Sequence, residues 1–566
     1  MKKYKAATPE ETVARIRDIL DRHGIPVTCT EKGDGDMFCS YRASITRTGY
    51  ERIGTNGKGM TPPYAMASAY AEMMERYQNR VVVYPNPVWL TTPCMYFPDE
   101  TVQTLGKPEV EVLVRKFMPR AYPASGIAET SFECRFIPFY HVGSGELVNL
   151  PYSLVRWING SNGMAAGNIP QEALIQGFNE IFERYALQEM YLRRLTPPDV
   201  PMSAFEGTEI IANLERMRVE YGYDYHVKDC SLGEGFPVIA LMVYNPDHSK
   251  YIIHYGADLN PRVALERCFT EVFQGHTGKT LSFENEMNSC EKLDLFNEFK
   301  RSLIYGRGRM PQEFFGTVPS YEYTPEHNIP EGRDFSEDLA NIVTWLQGRG
   351  YDIYIRDNSF MGFPTYHICV PGMSDIDKQF CDVNDRIADK QVTENQLNPL
   401  WRLPLLDETG LAQAMWLLGK MDTEAVALAP HNLHKSNNVN RHLLMMLLSL
   451  RTGDDKSALE HVSAYIDSKQ KTGKQVPGYY HAMKSMLSGE DAKVDERSVA
   501  IARSLMADRK NVLRTCPLPV CPDCGACELR EGCRMEFLKE IETIAQKAMA
   551  ENPINQKHLS HVFDKA

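Results

Sequence analysis

Two stretches decide how this sequence reads: NGKGMTPPYAMASAYAEMMERY, Asn56 to Tyr77, and NGMAAGNIPQEALIQGFNEIFERY, Asn162 to Tyr185. Both open with Asn-Gly and close with Glu-x-x-Glu-Arg-Tyr. A third, ALERCFTEVFQG from Ala264, keeps a shorter core: an alanine, a polar residue three positions on, and a glutamate four beyond that. In register, Ser68 pairs with Glu72, Gln176 with Glu180, and Arg267 with Glu271. Residues four apart on an α-helix lie about 40° apart around its axis, so each pair points one way, with Glu75 and Glu183 a turn beyond. The apolar Met73, Met74, Ile181 and Phe182 lie between the acids and leave the opposite face free to pack on a sheet.

One such stripe is an ordinary solvated helix face whose Glu-Arg neighbours form weak surface pairs. Three copies change the reading. If they converge, five carboxylates cannot crowd together unpaired, and divalent cations resolve the conflict. Magnesium takes carboxylate oxygens together with nucleotide phosphates, and Arg184 and Arg267 can neutralise the remaining phosphate charge. The glycines around Lys58 do not make a P-loop, because Lys58 is followed by Gly59 where G-x-x-x-x-G-K-[ST] needs Ser or Thr. TNGKG is therefore expected to form a turn near the site.

Around these segments, apolar spacing predicts a helix from Thr12 to His23 and another from Val263. Strand-like runs flank a Gly-Ser-Gly turn between Arg135 and Val155, and flank Asn245-Pro246-Asp247 between Phe236 and Asp258, so both read as hairpins. Sheets with helices packed on them are expected over residues 1–400. From Pro404 the texture turns to helices alone, and LLSLRTGDDKSALEHVSAYI has a loose tetratricopeptide pattern, with a plain helical bundle the alternative. The expected division is 1–400, 401–510 and 511–566: an α+β domain, an all-α region, and a cysteine-rich segment with a terminal helix.

The chain has 566 residues, 43% apolar and 24% charged, enough for more than one core. A net charge of −12 argues against general nucleic-acid binding. No window approaches the roughly 20 apolar residues of a membrane span, and MKKYKAATPEETVARIRDIL lacks the apolar core of an export signal, so a cytoplasmic location is expected. Of the 14 cysteines, five crowd into CPLPVCPDCGACELREGC. Cys516, Cys521, Cys524, Cys527 and Cys533 offer at least four thiolates to one metal, Zn2+ or an iron–sulfur cluster. His558 and His561 form an H-x2-H pair that reads as solvated.

NGKG…SAYAEMMERY, SNGMAAGN…EALIQGFNEIFERY, GADLNPRVALERCFTEVFQG and VPGMSD (Val370 to Asp375) occur in one order, and in that order the sequence resembles the YcaO family. The resemblance implies a YcaO-type catalytic domain binding ATP and Mg2+. It implies Glu72, Glu75, Glu180, Glu183 and Glu271 at magnesium, and Ser68, Asn168, Gln176, Arg184 and Arg267 at the nucleotide, with Lys5 and Thr12 near the nucleoside. It also implies an enzyme that activates a peptide-bond carbonyl by O-phosphorylation, and a homodimer. VPGMSD and the helical region are similar to the branch typified by the accessory factor for β-methylthiolation of a ribosomal small-subunit protein. That branch implies a protein or peptide substrate and, as partner, a radical methylthiotransferase or a sulfur-delivery protein. Azoline formation or thioamidation of a precursor peptide, and an ATP-switched client-binding adaptor, are the alternatives. The chain ends HLSHVFDKA, unlike the proline-rich tail of the ring-forming branch, and its cysteine cluster departs from the accessory branch.

Overall fold

The computed structural model describes residues 5–32, 38–46, 54–81, 96–117, 132–273, 281–287, 294–376, 400, 403, 406–421, 424–427, 438–471, 473, 475–490, 493–515 and 534–563. A three-stranded antiparallel sheet comes first: β1 (Val27–Lys32), β2 (Cys39–Ile45) and β3 (Gly54–Gly59). Helices α1 (Pro9–Arg22) and α2 (Pro62–Gln78) pack with it. Thr8 and Glu11 close a capping box that starts α1 ahead of the predicted Thr12.

The expected turn at TNGKG is instead β3, because Gly57 and Gly59 pair with Tyr41 and Cys39 of β2. Glycine is needed there for closeness. A β-carbon on Gly57 would sit 2.1 Å from Ala65 O and 2.2 Å from Ala69 N, both backbone atoms of α2. Thr55 Oγ1 donates to Ala69 O at 2.7 Å and holds helix to strand.

A six-stranded sheet follows, in order β4 (Thr101–Leu105), β5 (Phe132–His141), β12 (Tyr354–Asp357), β13 (Thr365–Cys369) and β7 (Met164–Ala166), with β6 (Glu146–Pro151) paired to β5. The first predicted hairpin is thus β5–β6. Its second strand stops at Pro151 rather than reaching Val155, since α4 (Tyr152–Asn159) begins there; α3 (Lys107–Phe117) precedes this hairpin and α6 (Glu209–Tyr221) comes later in the chain. The second hairpin is β9 (Val238–Tyr244) and β10 (Lys250–Ala257), inside a four-stranded sheet ordered β11 (Asn285–Glu286), β10, β9, β8 (Tyr225–Asp229).

β9 is buried along its whole length because both faces are covered. Val238, Ala240 and Met242 join the core shared with the long helix α5 (Pro170–Arg193), while Ile239, Leu241 and Val243 join the core shared with α7 (Pro261–Val272). α2, α5 and α7 all begin with proline at the first helical turn, where the missing N–H costs nothing. Gly256 repeats on β10 what Gly57 does on β3: its β-carbon would meet Ala264 O of α7 at 2.3 Å.

Helices Glu408–Lys420, Arg441–Thr452, Asp455–Lys471, Gly478–Ser488 and Glu496–Ala507 build a separate core around Leu444, Val462, Tyr479 and Ala502. The expectation of helices alone after Pro404 is corrected by a short antiparallel pair, Ala425–Ala427 with Asn438–Asn440. The last expected region is shared between cores. Val512 and Leu513 pack with these helices, whereas Ile541, Ala545 and Ala548 of the helix Arg534–Glu551 pack with α1 and α2. The five clustered cysteines lie outside the described residues. No helix among the described residues is long and apolar enough to cross a membrane.

Gly57→Ala is expected to destabilise the protein by about 1–3 kcal/mol, since the clashing atoms are backbone and cannot swing away. Gly348→Ala, in a helix with nothing within 4 Å of the new carbon, should be neutral or stabilising by up to about 1 kcal/mol. Thermal denaturation of the two variants checks both signs.

Candidate nucleotide and metal site

One cavity of about 640 Å³ lies between α2, α5 and α7. All twelve residues expected at nucleotide and magnesium line it: Lys5, Thr12, Ser68, Glu72, Glu75, Asn168, Gln176, Glu180, Glu183, Arg184, Arg267 and Glu271. α5 forms its long wall. Glu172, Gln176, Glu180, Glu183, Arg184 and Leu187 succeed one another along the lining, a stripe of about 22 Å at 1.5 Å per residue.

At the start of α5, Glu172 accepts from Ala6 N at 3.0 Å and lies 3.7 Å from Lys5 Nζ. Thr12 Oγ1 donates to Asn168 Oδ1 at 2.9 Å, and Arg15 Nη1 donates to Asn168 O at 2.9 Å. The N-terminal segment thereby closes this end. Burial lowers the Lys5 pKa, the neighbouring Glu172 acting against it.

Farther along, Arg76 Nε sits 3.4 Å from Glu72 Oε1 and 3.4 Å from Glu75 Oε1, and Arg184 Nε sits 3.1 Å from Glu180 Oε1. Lys58 reaches from β3 to pair with Glu271 of α7. Arg267 Nη2 pairs with Asp258 at 3.2 Å. Five carboxylates thus meet a smaller set of cations in one partly enclosed cavity.

Burial raises the Glu75 carboxyl to about 8, opposed by Arg76 and reinforced by Glu180 and Glu72. Burial likewise raises Glu183 to about 7 against the pull of Arg184 and Lys58. Lys58 is lowered to about 8 by its own burial, although Glu183 and Glu72 favour its charge. Glu75 Oε1 and Glu180 Oε1 are buried and make no hydrogen bond. These oxygens, each in an ion-pair contact with Arg76 or Arg184 but without a hydrogen bond, belong to an all-oxygen cluster that fits a hard divalent cation such as Mg2+.

The repeat brought the five glutamates, Ser68, Gln176, Arg184 and Arg267 to notice and the family resemblance added Lys5, Thr12 and Asn168, but several others in the cavity were not expected. Arg76 follows Glu75 as Arg184 follows Glu183, so the repeat contained its signal. Glu172 stands one turn ahead of Gln176 on the same stripe. Glu266, raised by burial, and His254 and Arg307 also line the cavity and carry no repeat signature. Lys58 faces the site from a strand. Far from the cavity, His558 is not simply solvated: its Nε2 lies 2.8 Å from Asp357, and that hydrogen bond raises its pKa.

Residues 56–374 match the family described as YcaO cyclodehydratase, ATP- and Mg2+-binding. An uncharacterised protein of Haemophilus influenzae is 28% identical over 387 residues, covering 62% of this chain and 61% of its own length. The ribosomal protein S12 methylthiotransferase accessory factor YcaO of Escherichia coli is 28% identical over 347 residues, covering 57% of each chain. Among solved structures, YcaO from Methanopyrus kandleri bound with AMPPCP and Mg2+ is similar with a TM-score of 0.43 and 18% identity, over 65% of this chain and 92% of that one. The chain therefore spans about three fifths of the length of the curated relatives it matches.

The raised carboxyls set a pH dependence for the metal-free protein. Glu75 and Glu183 hold protons more tightly folded than unfolded, where the ordinary value is 4.5. Their stabilising contribution is complete below about 4.5 and lost as pH rises through about 7 to 8. Chelator-treated protein should lose stability from about pH 5 to 8, with a slope of up to about two protons. Urea unfolding midpoints measure this, and Mg2+ should restore the upper end.

Proposed function

Because the chain belongs to the YcaO family, we propose that it is an ATP- and Mg2+-dependent enzyme that activates a protein or peptide backbone amide by O-phosphorylation, in support of β-methylthiolation of ribosomal protein S12. The observation that carries the reading is the meeting of three glutamate stripes in one cavity, where Glu75 Oε1 and Glu180 Oε1 are buried without a hydrogen bond. Glu72, Glu75, Glu180, Glu183 and Glu271 would hold magnesium, and Ser68, Asn168, Gln176, Arg184 and Arg267 would hold the nucleotide, with Lys5 and Thr12 at its nucleoside end. Bound there, Mg2+ and ATP supply a phosphoryl group whose charge is neutralised for transfer to an amide oxygen.

The chain's own part is positioning and electrostatics. Arg76, held between Glu72 and Glu75, orients both carboxylates and limits their repulsion. Arg184 and Arg267 keep fixed positive charge in the cavity and Lys58 spans β3 to α7, so the donors are set before the ligand arrives. The N-terminal segment holds Asn168 and Glu172 in place through Thr12 and Ala6. The S12 role draws on the name of the E. coli relative and on the helical region that follows the catalytic domain. The family description names cyclodehydratase chemistry, which favours azoline formation on a precursor peptide as the second reading. The five cysteines from Cys516 to Cys533, which precede the terminal helix in sequence, would offer the thiolates that a Zn2+ or an iron–sulfur cluster takes.

The double variant Glu180→Gln/Glu183→Gln should fold and lose ATP turnover by at least about 100-fold, read as phosphate release. Turnover at the wild-type rate would overturn the enzyme reading. Mass spectrometry of co-purifying proteins separates the substrates. A methylthiotransferase or S12 supports the first reading, and a peptide that has lost water supports the second.

A further inference from the structure

We propose that the C-terminal segment 534–563 is a strap that positions the magnesium end of α2, with Arg80 and Glu542 as its positioning residues. The proposal rests on the magnesium reading of Glu72 and Glu75. Glu75 lies within one helical turn of Gln78, the last residue of α2, so whatever holds that end holds the carboxylate.

Every residue at that end is tied down. Tyr77 Oη donates to Ile541 O at 2.8 Å, from a helix 464 residues away in sequence. Gln78 Nε2 donates to Phe363 O at 2.8 Å and to Thr365 Oγ1 at 2.6 Å, and its Oε1 accepts from Met361 N at 2.8 Å. Asn79 Oδ1 accepts from Asn358 at 2.8 Å. Arg80 then leaves the helix with φ of 61°, a left-handed conformation costly for arginine, and its buried guanidinium donates to Glu542 at 2.5 Å and to Tyr96 O at 3.2 Å. The ion pair is 2% and 1% exposed.

A second attachment acts through the 358–361 loop. Gln556 accepts from Asp357 N and donates to Asp357 O, both at 2.8 Å, mimicking a strand partner at the end of β12. His558 pairs with the Asp357 carboxylate beside it. The segment therefore grips α2 directly at 541–542, and grips the loop that holds Gln78 and Asn79 at 556–558. A strained backbone and a desolvated ion pair are arrangements that folding stability alone would not favour, because apolar residues of equal volume serve stability as well or better.

The test uses the full-length chain and the half-saturating Mg2+ concentration for AMPPCP binding, measured by calorimetry. Glu542→Gln cuts the ion pair. Arg80→Met/Glu542→Leu replaces it by apolar packing that retains stability but has no direction. Both should raise the Mg2+ half-saturation at least about fivefold, the double variant with a melting temperature near wild type. Should both fail to fold, Gln556→Ala is read in the same way, with at least a twofold rise expected. A folded variant with wild-type half-saturation overturns the strap. Wild-type protein that binds AMPPCP without regard to Mg2+ overturns the magnesium reading, and the strap with it.

Discussion

Like charges crowded into one cavity are the constraint on which this structure turns. Three helices from separate parts of the chain aim glutamates into one cavity, and burial pushes Glu75 and Glu183 far above the usual carboxylate range. Arg76, Arg184 and Lys58 relieve part of the repulsion, each from the same helix or a neighbouring strand. Even so, the Glu75 and Glu180 oxygens that face Arg76 and Arg184 are buried without a hydrogen bond, a need that a divalent cation meets.

The scaffold is arranged so that this cluster cannot relax apart. α2 is pressed onto β3 at Gly57 and α7 onto β10 at Gly256, each at a distance no side chain allows. α5 is buried on most sides between the six-stranded and four-stranded sheets and shows the cavity one stripe. Close packing of this kind transmits position, so a tie at the far end of α2 bears on carboxylates a turn away. Among the described residues the helical region has its own core, separate from the one that α1, α2 and the terminal helix share.

Much of the site was legible because chemistry that needs three equivalent helices leaves a repeat. Glu-x-x-Glu-Arg-Tyr, written twice, and Ala-x-x-x-x-x-x-Glu, written three times, revealed the stripes without knowledge of the sheets. Helices and hairpins with clean periodicity were equally readable, as at α1, β5–β6 and β9–β10. What was not legible depends on partners distant in sequence. TNGKG has turn composition, yet it is a strand because β2 pairs with it and α2 needs its glycines. Tyr152 has strand character, yet the chain turns helical after Pro151. His558 reads as a surface histidine until Asp357, some 200 residues earlier, is seen beside it. Glu542 is one acid among several in its helix, and only the fold reveals Arg80 opposite.

The central claim is that the five glutamates hold a divalent cation together with a nucleotide. Crystals grown with AMPPCP and Mn2+ in place of Mg2+ test it directly, since manganese is located by its anomalous scattering. The account predicts anomalous peaks among Glu72, Glu75, Glu180, Glu183 and Glu271, about 2.0–2.3 Å from carboxylate oxygens, with phosphates alongside. Nucleotide bound elsewhere, or a cavity that takes up AMPPCP with no peak among those carboxylates, would contradict it.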